Sequence, residues 1–350
     1  METGKTIRHD DEYVEDNEFD QIREEGFHSL IISGNDHLSS NPSKLVSIPE
    51  GIDNDKYRDI TERETTGVQE TSETDQRLPK QKLEYFEWNK TIEDRCKAVI
   101  ESQQEQLSDR VYDIHEENAR KYWDIFYKRN TTNFYKNRNY IHREFNLDEL
   151  VKELGEKKGR RLNLLEAGCG VGNTLFPLME IYHDRVKMIG FDFSDNAIQM
   201  IQKDSRYRVE DIEVEVRDLV KHEVDYKQLD FVTLVFVLSG ISPENHEMCI
   251  KKLLDCMDSN SYLYFRDYAE FDMAQLRLAS RKDSKLKEGF YLKTDGTRVY
   301  YFNEKYLREL FSKFEGVEVE KLETHYRTIR NIKRGLEMNR VWIQGVIRKK

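Results

Sequence analysis

The run Leu162-Asn163-Leu164-Leu165-Glu166-Ala167-Gly168-Cys169-Gly170-Val171-Gly172-Asn173 restricts the fold of this chain more than any other stretch. Residues suited to a strand deliver an acid and then three glycines at alternate positions. A helix-like pattern follows. Glycine lets the backbone turn sharply and approach a ligand closely. The arrangement therefore predicts a strand, a tight loop and a helix N-terminus. A second strand, Lys187-Met188-Ile189-Gly190-Phe191-Asp192, ends in another acid, 24 positions after Gly168. That is near the spacing at which a βαβ nucleotide fold brings a carboxylate to a ribose. An adenosine cofactor is the expectation.

The pattern continues as an α/β alternation. Strand candidates are Leu162–Glu166, Lys187–Phe191, Ile212–Val216, Phe231–Leu238 and Ser261–Arg266. Helix candidates are Asn173–Tyr182, Asp195–Lys203 and Pro243–Met257. Ser194 and Asp195 offer an N-cap to the second helix, and Pro243 suits the first turn of the third. A charged insertion at about 269–303 precedes a helix at Glu304–Phe314. Two late strands, near Val317–Arg327 and Arg340–Arg348, predict an antiparallel hairpin at one sheet edge. Upstream, Glu84 to about Gln106 and Asp109 to Tyr127 read as helices, and a basic, aromatic stretch runs on to Phe145. The predicted organisation is a tail at 1–80, a helical extension at 81–150 and an α/β domain at 151–350.

Charge is unevenly distributed. Residues 1–80 hold 20 acids and 9 bases, which accounts for the whole net charge of −11. That segment lacks periodicity and reads as disordered, with one apolar patch at Phe27–Ile32. The neutral remainder contains basic islands. Residues 119–143 carry seven Lys/Arg against one Asp, and residues 321–350 carry nine against two Glu. The acidic balance of the whole chain therefore does not exclude an anionic partner. No run approaches the ~18 apolar residues of a membrane helix, and the N-terminus lacks an apolar signal core. The four cysteines, Cys96, Cys169, Cys249 and Cys256, include no CxxC pair. Reduced thiols, no metal site, and a cytoplasmic or nuclear location are expected.

Glu166, Gly168, Gly170 and Gly172 form an E-x-G-x-G-x-G signature. Its weight comes from its neighbours: a strand before it, a helix after it, Asp192 after the second strand and Asp218 after the third. The Asp218 carboxylate, followed by Leu219, can accept from an adenine amino group. Asp192 can accept from both ribose hydroxyls. A dinucleotide would want a pyrophosphate cradle at the helix N-terminus. S-adenosylmethionine has no phosphate, and its methionine part carries an ammonium that an acid at 166 suits. S-adenosylmethionine is the cofactor these residues favour.

Together these residues resemble the tRNA 3-methylcytidine methyltransferases, which methylate cytidine N3 at position 32 of the anticodon loop. The resemblance rests on Tyr122-Trp123-Asp124-Ile125-Phe126-Tyr127-Lys128, Phe134-Tyr135-Lys136-Asn137-Arg138, the glycine loop, Phe236-Val237-Leu238-Ser239, Phe265-Arg266-Asp267-Tyr268, Asp295-Gly296-Thr297-Arg298 and Arg340-Val341-Trp342. It covers roughly residues 84–348. It implies a class I Rossmann-like methyltransferase, with a mostly parallel seven-stranded sheet, an antiparallel edge hairpin and an N-terminal helical extension. It further implies that Trp123 and Tyr127 close over the cofactor beside Gly168, Asp192, Asp218, Leu219 and Val235. Phe134, Tyr135 and Arg138 would line the substrate entrance. The family often has Asp-Arg-His-Trp where this chain has Asn137-Arg138-Asn139-Tyr140. Some members depend on a synthetase or another tRNA-binding protein.

The chemistry fits that reading. Cytidine N3 holds an in-plane lone pair, so transfer needs no base to remove a proton from it. The product base is cationic, and a carboxylate near the ring would stabilise the developing charge. Asp267, after the fifth strand, is the candidate, with Arg266 and Tyr268 placed to contact phosphate or stack on a base. A structural ion pair between Arg266 and Asp267 is an equal alternative. Residues 119–143 interleave cations, Arg129 and Arg138 among them, with aromatics, which suits an RNA loop. Arg298 belongs to a second basic arm. Two other readings stay open: a methyltransferase acting on a protein or small molecule, and a non-catalytic RNA-binding subunit.

Overall fold

The computed structural model describes residues 81–85, 88–131, 135–331 and 336–350. The tail with its Phe27–Ile32 patch, Phe134, Lys333 and Arg334 lie outside the described residues. The chain begins with β1 (Gln81–Tyr85), α1 (Lys90–Ser102), α2 (Asp109–Glu117), α3 (Ala119–Asn130), a single turn α4 (Ile141–Glu144) and α5 (Leu147–Lys158). Alternating units follow: β2 (Leu162–Ala167), α6 (Leu175–Tyr182), β3 (Val186–Asp192), α7 (Asp195–Lys203), β4 (Ile212–Val216), β5 (Leu229–Val235), α8 (His246–Cys256) and β6 (Met257–Tyr268). The insertion contains α9 (Met273–Ala279) and a small antiparallel sheet of β7 (Lys285–Lys287), β8 (Phe290–Leu292) and β9 (Arg298–Tyr300). Last come α10 (Glu304–Ser312), β10 (Val317–Asn331) and β11 (Leu336–Lys349).

The main sheet has the order β1-β10-β11-β6-β5-β2-β3-β4. Strands β2 to β6 are parallel, and the β10–β11 hairpin joins β6 antiparallel through β11. This is the expected seven-stranded sheet with its edge hairpin. The eighth strand departs from expectation. Helical periodicity extends back to Glu84, but the structure pairs Gln81–Tyr85 with β10 and starts α1 at Lys90, capped by Asn89 Oδ1 on the Ile92 amide. The edge of β10 offers backbone partners that a local sequence pattern cannot register. The long helix expected over Asp109–Tyr127 is also two helices, broken at Asn118. Asn118 turns its side-chain amide back onto the Ile114 carbonyl, a habit that favours helix ends.

Alternation along the strands sends side chains to opposite faces. Leu165, Val232, Leu234, Leu263, Phe265 and Ile343 pack under α8 and α10. Leu162, Leu164, Met188, Phe231, Val235 and Tyr264 pack under α5, α6 and α7. Strand order reverses between β2 and β5, and the carboxyl ends of β2 to β5 therefore open a crevice, the usual ligand position in such sheets.

Candidate active site

The crevice is lined by the segments that follow four successive parallel strands. Gly168 follows β2, Asp192 ends β3 and Phe193 follows it, Arg217 to Lys221 follow β4, and Phe236, Val237, Gly240 and Ile241 follow β5. Gly168, Gly170 and Gly172 all have positive φ, at 69°, 53° and 85°. All three also face close neighbours, Gly172 the Phe176 ring at 2.7 Å from where its Cβ would lie. A Cβ on Gly168 would stand 2.5 Å from Val237 Cγ2, and one on Gly170 would stand 2.8 Å from the Tyr127 hydroxyl. The alternating glycines thus have a steric as well as a conformational cause.

Asp192 is the pin of this loop. Its Oδ2 accepts from the Gly170 amide at 3.0 Å and its Oδ1 from the Ser194 amide at 2.9 Å. Burial raises its pKa to about 6, against the opposing effect of those two amides. Each oxygen keeps a further lone pair for a ligand hydroxyl. Asp218 also lines the cleft; its Oδ1 accepts from the Val220 amide at 2.9 Å, and Leu219 is packed in the core beside it. Glu166 is buried beneath the loop at 1 % exposure. Burial raises its pKa to about 7, opposed by the charge of Arg138 and by donors at Thr174 and Leu175, at the start of α6. Glu166 Oε2 has no hydrogen-bond partner among the described residues. A buried carboxylate oxygen without a partner is costly, and a bound ammonium group would satisfy it. This orphaned atom and the glycine cradle together fit S-adenosylmethionine.

The roof of the cleft is α3, which presents Ala119, Arg120, Trp123 and Tyr127 to it. The helix is fixed on α7: Asp124 accepts from the Ser194 hydroxyl, and Arg120 pairs with Asp195. A Cβ on Gly240 would stand 3.8 Å from the Trp123 ring, so the roof meets the segment after β5. Burial keeps the Tyr127 hydroxyl protonated, well above its ordinary range.

Several sequence-based assignments move. Val235 does not line the cleft; it is the last residue of β5 and points into the core under α6, while Phe236 and Val237 line the cleft in its place. Asp267 is fully buried. Its Oδ2 accepts from the Ser239 amide and its Oδ1 from the Tyr268 amide, each at 2.9 Å, with the Ser239 hydroxyl and the Val237 amide as further donors. Burial raises its pKa to about 7 in spite of these bonds. Asp267 therefore clasps the Val237–Ser239 turn and does not face the cleft. Arg266, its neighbour, points to the other face of the sheet, since successive strand residues alternate. There it meets Glu144 at 3.3 Å and Gln344 at 2.9 Å, with its guanidinium 4.6 Å from the Trp342 ring. The Arg266–Asp267 ion pair held open by the sequence does not form. Tyr268 is buried against Phe236, with ring centroids 4.7 Å apart.

The residues expected at the substrate also divide. Arg129 is exposed at the end of α3, and Tyr135 is half-buried beside Phe126. Arg138 is buried, with Nη1 on Thr174 Oγ1 at 3.2 Å and its guanidinium over the Tyr135 and Phe236 rings. Arg298 is buried in the cleft wall, where it meets Glu116, Ser242 and Gly240. Glu116, Phe236, Val237, Gly240 and Lys221 also line the cleft and were not singled out in the sequence. Phe236 and Val237 sat within a recognised motif; Glu116 carried no signal, because its partner lies 182 positions away. Among the described residues no His, Cys, Asp and Glu cluster could hold a metal, and no helix is long and apolar enough to cross a membrane.

Comparison with known proteins adds the family. A family model described as a methyltransferase domain matches residues 138–320. The chain is 39 % identical to the mouse (Mus musculus) tRNA N(3)-cytidine methyltransferase METTL6, over 67 % of this chain and 82 % of that one. It is 31 % identical to the Schizosaccharomyces pombe tRNA N(3)-methylcytidine methyltransferase trm140, over 76 % of this chain and 86 % of that one. It is 32 % identical to the Saccharomyces cerevisiae tRNA(Thr) (cytosine(32)-N(3))-methyltransferase, over 67 % of this chain but only 37 % of that longer protein. With a methyltransferase domain match over more than half its length and such relatives covered over most of theirs, this chain, an S-adenosylmethionine-dependent enzyme, belongs to the tRNA N(3)-cytidine methyltransferase family.

Proposed function

We propose that this chain methylates N3 of a cytidine at position 32 of the tRNA anticodon loop. What carries the reading is the intact cleft, with Glu166, Asp192 and Asp218 all at the ends of parallel strands, in a chain 39 % identical to the mouse enzyme. The yeast relative whose name specifies cytosine 32 supports the position.

When bound, S-adenosylmethionine supplies an electrophilic methyl group on a sulfonium. The chain's own work is to hold and align. Glu166 would receive the ammonium through its orphaned oxygen, Asp192 would hold the ribose hydroxyls and Asp218 the adenine amino group. Gly168 and Gly170 let the backbone lie close, Leu219 supplies apolar contact, and Trp123 and Tyr127 keep water out from above. Because N3 of cytosine carries no proton, alignment and desolvation are the main catalytic resources. Near-attack positioning alone is worth ~7–11 kcal/mol. Asp267 contributes by holding the turn that starts at Phe236, not by touching the base.

The tRNA backbone meets exposed cations such as Lys121, Lys128 and Arg129, and bases stack on aromatics near Tyr135. Phosphate contacts of this kind orient RNA but carry little sequence information. A protein partner such as an aminoacyl-tRNA synthetase or another tRNA-binding protein would supply the choice of tRNA. Incubation with labelled S-adenosylmethionine and total tRNA, followed by digestion to nucleosides, tests the proposal. The expected product is 3-methylcytidine, absent with the Asp192→Ala variant and reduced as salt rises. No product, even after cell extract is added to supply a partner, would overturn it.

A further inference from the structure

We infer that Glu116 is a positioning residue whose ion pair with Arg298 latches the roof of the cofactor cleft; the inference rests on the S-adenosylmethionine reading of that cleft. Three distant parts of the chain meet at this pair. Glu116 lies at the end of α2, two residues before the Asn118 break that starts the roof helix α3. Arg298 opens β9, in the insertion. Ser242, Gly240 and Asn245 belong to the segment after β5, which forms the cleft wall.

The bonds close into a ring. Arg298 Nη1 donates to Glu116 Oε2 and, at 3.0 Å, to Ser242 Oγ. The Ser242 hydroxyl donates to Glu116 Oε2, and Arg298 Nη2 reaches the Gly240 carbonyl at 3.3 Å. Asn245 Nδ2 donates to Glu116 Oε1 at 3.4 Å. Glu116 and Arg298 both line the cleft. The insertion grips the roof at a neighbouring point too: the Tyr122 ring lies where a Cβ on Gly296 would fall, and the Lys293 ammonium sits 5.5 Å from the Trp123 ring centroid.

Arg298, in the second basic arm, was expected to bind tRNA. Its guanidinium is instead spent inside the protein, on a carboxylate and two oxygens of the cleft wall. Arg298 is buried and Glu116 half-buried; removing Glu116 costs most, because the buried guanidinium charge stays behind without its carboxylate. Without the latch, the start of the roof helix loses its charged tie to the cleft wall and keeps its contacts with α7, Val171 and the Gly296 turn, so Trp123 and Tyr127 are held less firmly over the cleft. Apparent affinity falls in proportion to the fraction of molecules with the roof in place.

The test is calorimetric titration of the full chain with S-adenosylmethionine, alongside tRNA filter binding. Glu116→Gln and Arg298→Met should each weaken cofactor binding about tenfold, as when a tenth of molecules stay closed. Their affinity for tRNA should stay within about twofold, since the buried Arg298 guanidinium is directed at Glu116 and the cleft wall and not at phosphate. The exchanged pair, Glu116→Arg with Arg298→Glu, should recover most of the loss. If the single variants melt far below the parent, Ser242→Ala serves instead: it removes the bridging hydroxyl, keeps both charges, and should weaken cofactor binding about threefold. Cofactor affinity equal to the parent's in these variants would overturn the inference. So would loss of tRNA affinity in Arg298→Met with cofactor binding intact. A parent protein that fails to bind S-adenosylmethionine at all would instead sink the proposed function.

Discussion

The buried acids around the cleft owe their properties to what surrounds each one. Asp192, Glu166 and Asp267 are all buried, yet their partners give them different work: Asp192 pins the glycine loop, Glu166 keeps one oxygen unpaired, and Asp267 is fully engaged by backbone donors. Asparagine at 267 would set an amide N–H against donors that now meet a carboxylate. The Asp267→Asn variant should lose about 1–3 kcal/mol of stability, the cost of leaving buried donors unpaired. Chemical denaturation measures the loss. Methyl transfer should fall with it, because Phe236 and Val237, which line the cleft, lie on the turn that Asp267 holds. Phe236 itself has φ of 58°, a strained value for a bulky residue, so the turn depends on such support.

Single residues also tie elements together. Ser194 caps α7 by accepting from the Ala197 amide at 3.2 Å, and its hydroxyl donates to Asp124 on the roof helix. One side chain thus serves a helix end and a helix–helix contact. Ser194→Ala should cost about 0.5–2 kcal/mol as a lost cap, read from the thermal midpoint. It should also raise the KM for S-adenosylmethionine more than it lowers kcat, since α3 is the element it releases. The same principle organises the far edge of the sheet. There β1 takes up the backbone groups of β10 over five residue pairs, ahead of the helices that build the roof.

Across the whole molecule, the buried acids give stability a definite pH dependence. Burial raises Glu166 from 4.5 to about 7, Asp192 from 3.8 to about 6 and Asp267 from 3.8 to about 7. The folded protein then binds more protons than the unfolded chain between these values, so their contribution is greatest at low pH and is lost as pH rises. The loss runs through about 6 for Asp192 and about 7 for the other two. A Glu166→Gln variant should therefore show a flatter decline of melting temperature between roughly pH 5 and 8 than the parent. Cofactor binding has the opposite sign, because the ammonium needs an ionised Glu166. Calorimetry near pH 7 in buffers of different ionisation enthalpy should register proton release on binding, and affinity should rise with pH. Proton uptake would contradict the role given to Glu166.

Much of this protein was legible in the sequence because its signals are local. Strand alternation, the Ser194 cap and the three glycines each act over a few residues, and they were enough to place the parallel strands, the edge hairpin and the cofactor loop. Asp192 and Asp218 could be read from their positions after successive strands, since a parallel sheet brings all its carboxyl ends together. Contacts between distant segments were another matter. Asp267 and Arg266 are adjacent in sequence, yet the strand sends one under the cleft wall and the other to the opposite face. Arg138 and Arg298 looked like exposed cations within basic stretches; packing turned both inward, one against aromatic rings and the other against Glu116. The strand at 81–85 likewise exists through the edge it pairs with. The sequence by itself determined the alternating strands and helices of the α/β core and their cofactor chemistry, through backbone propensity and short-range pattern. Only the tertiary structure decided which charges face the ligand, because burial and pairing depend on residues brought together from across the chain.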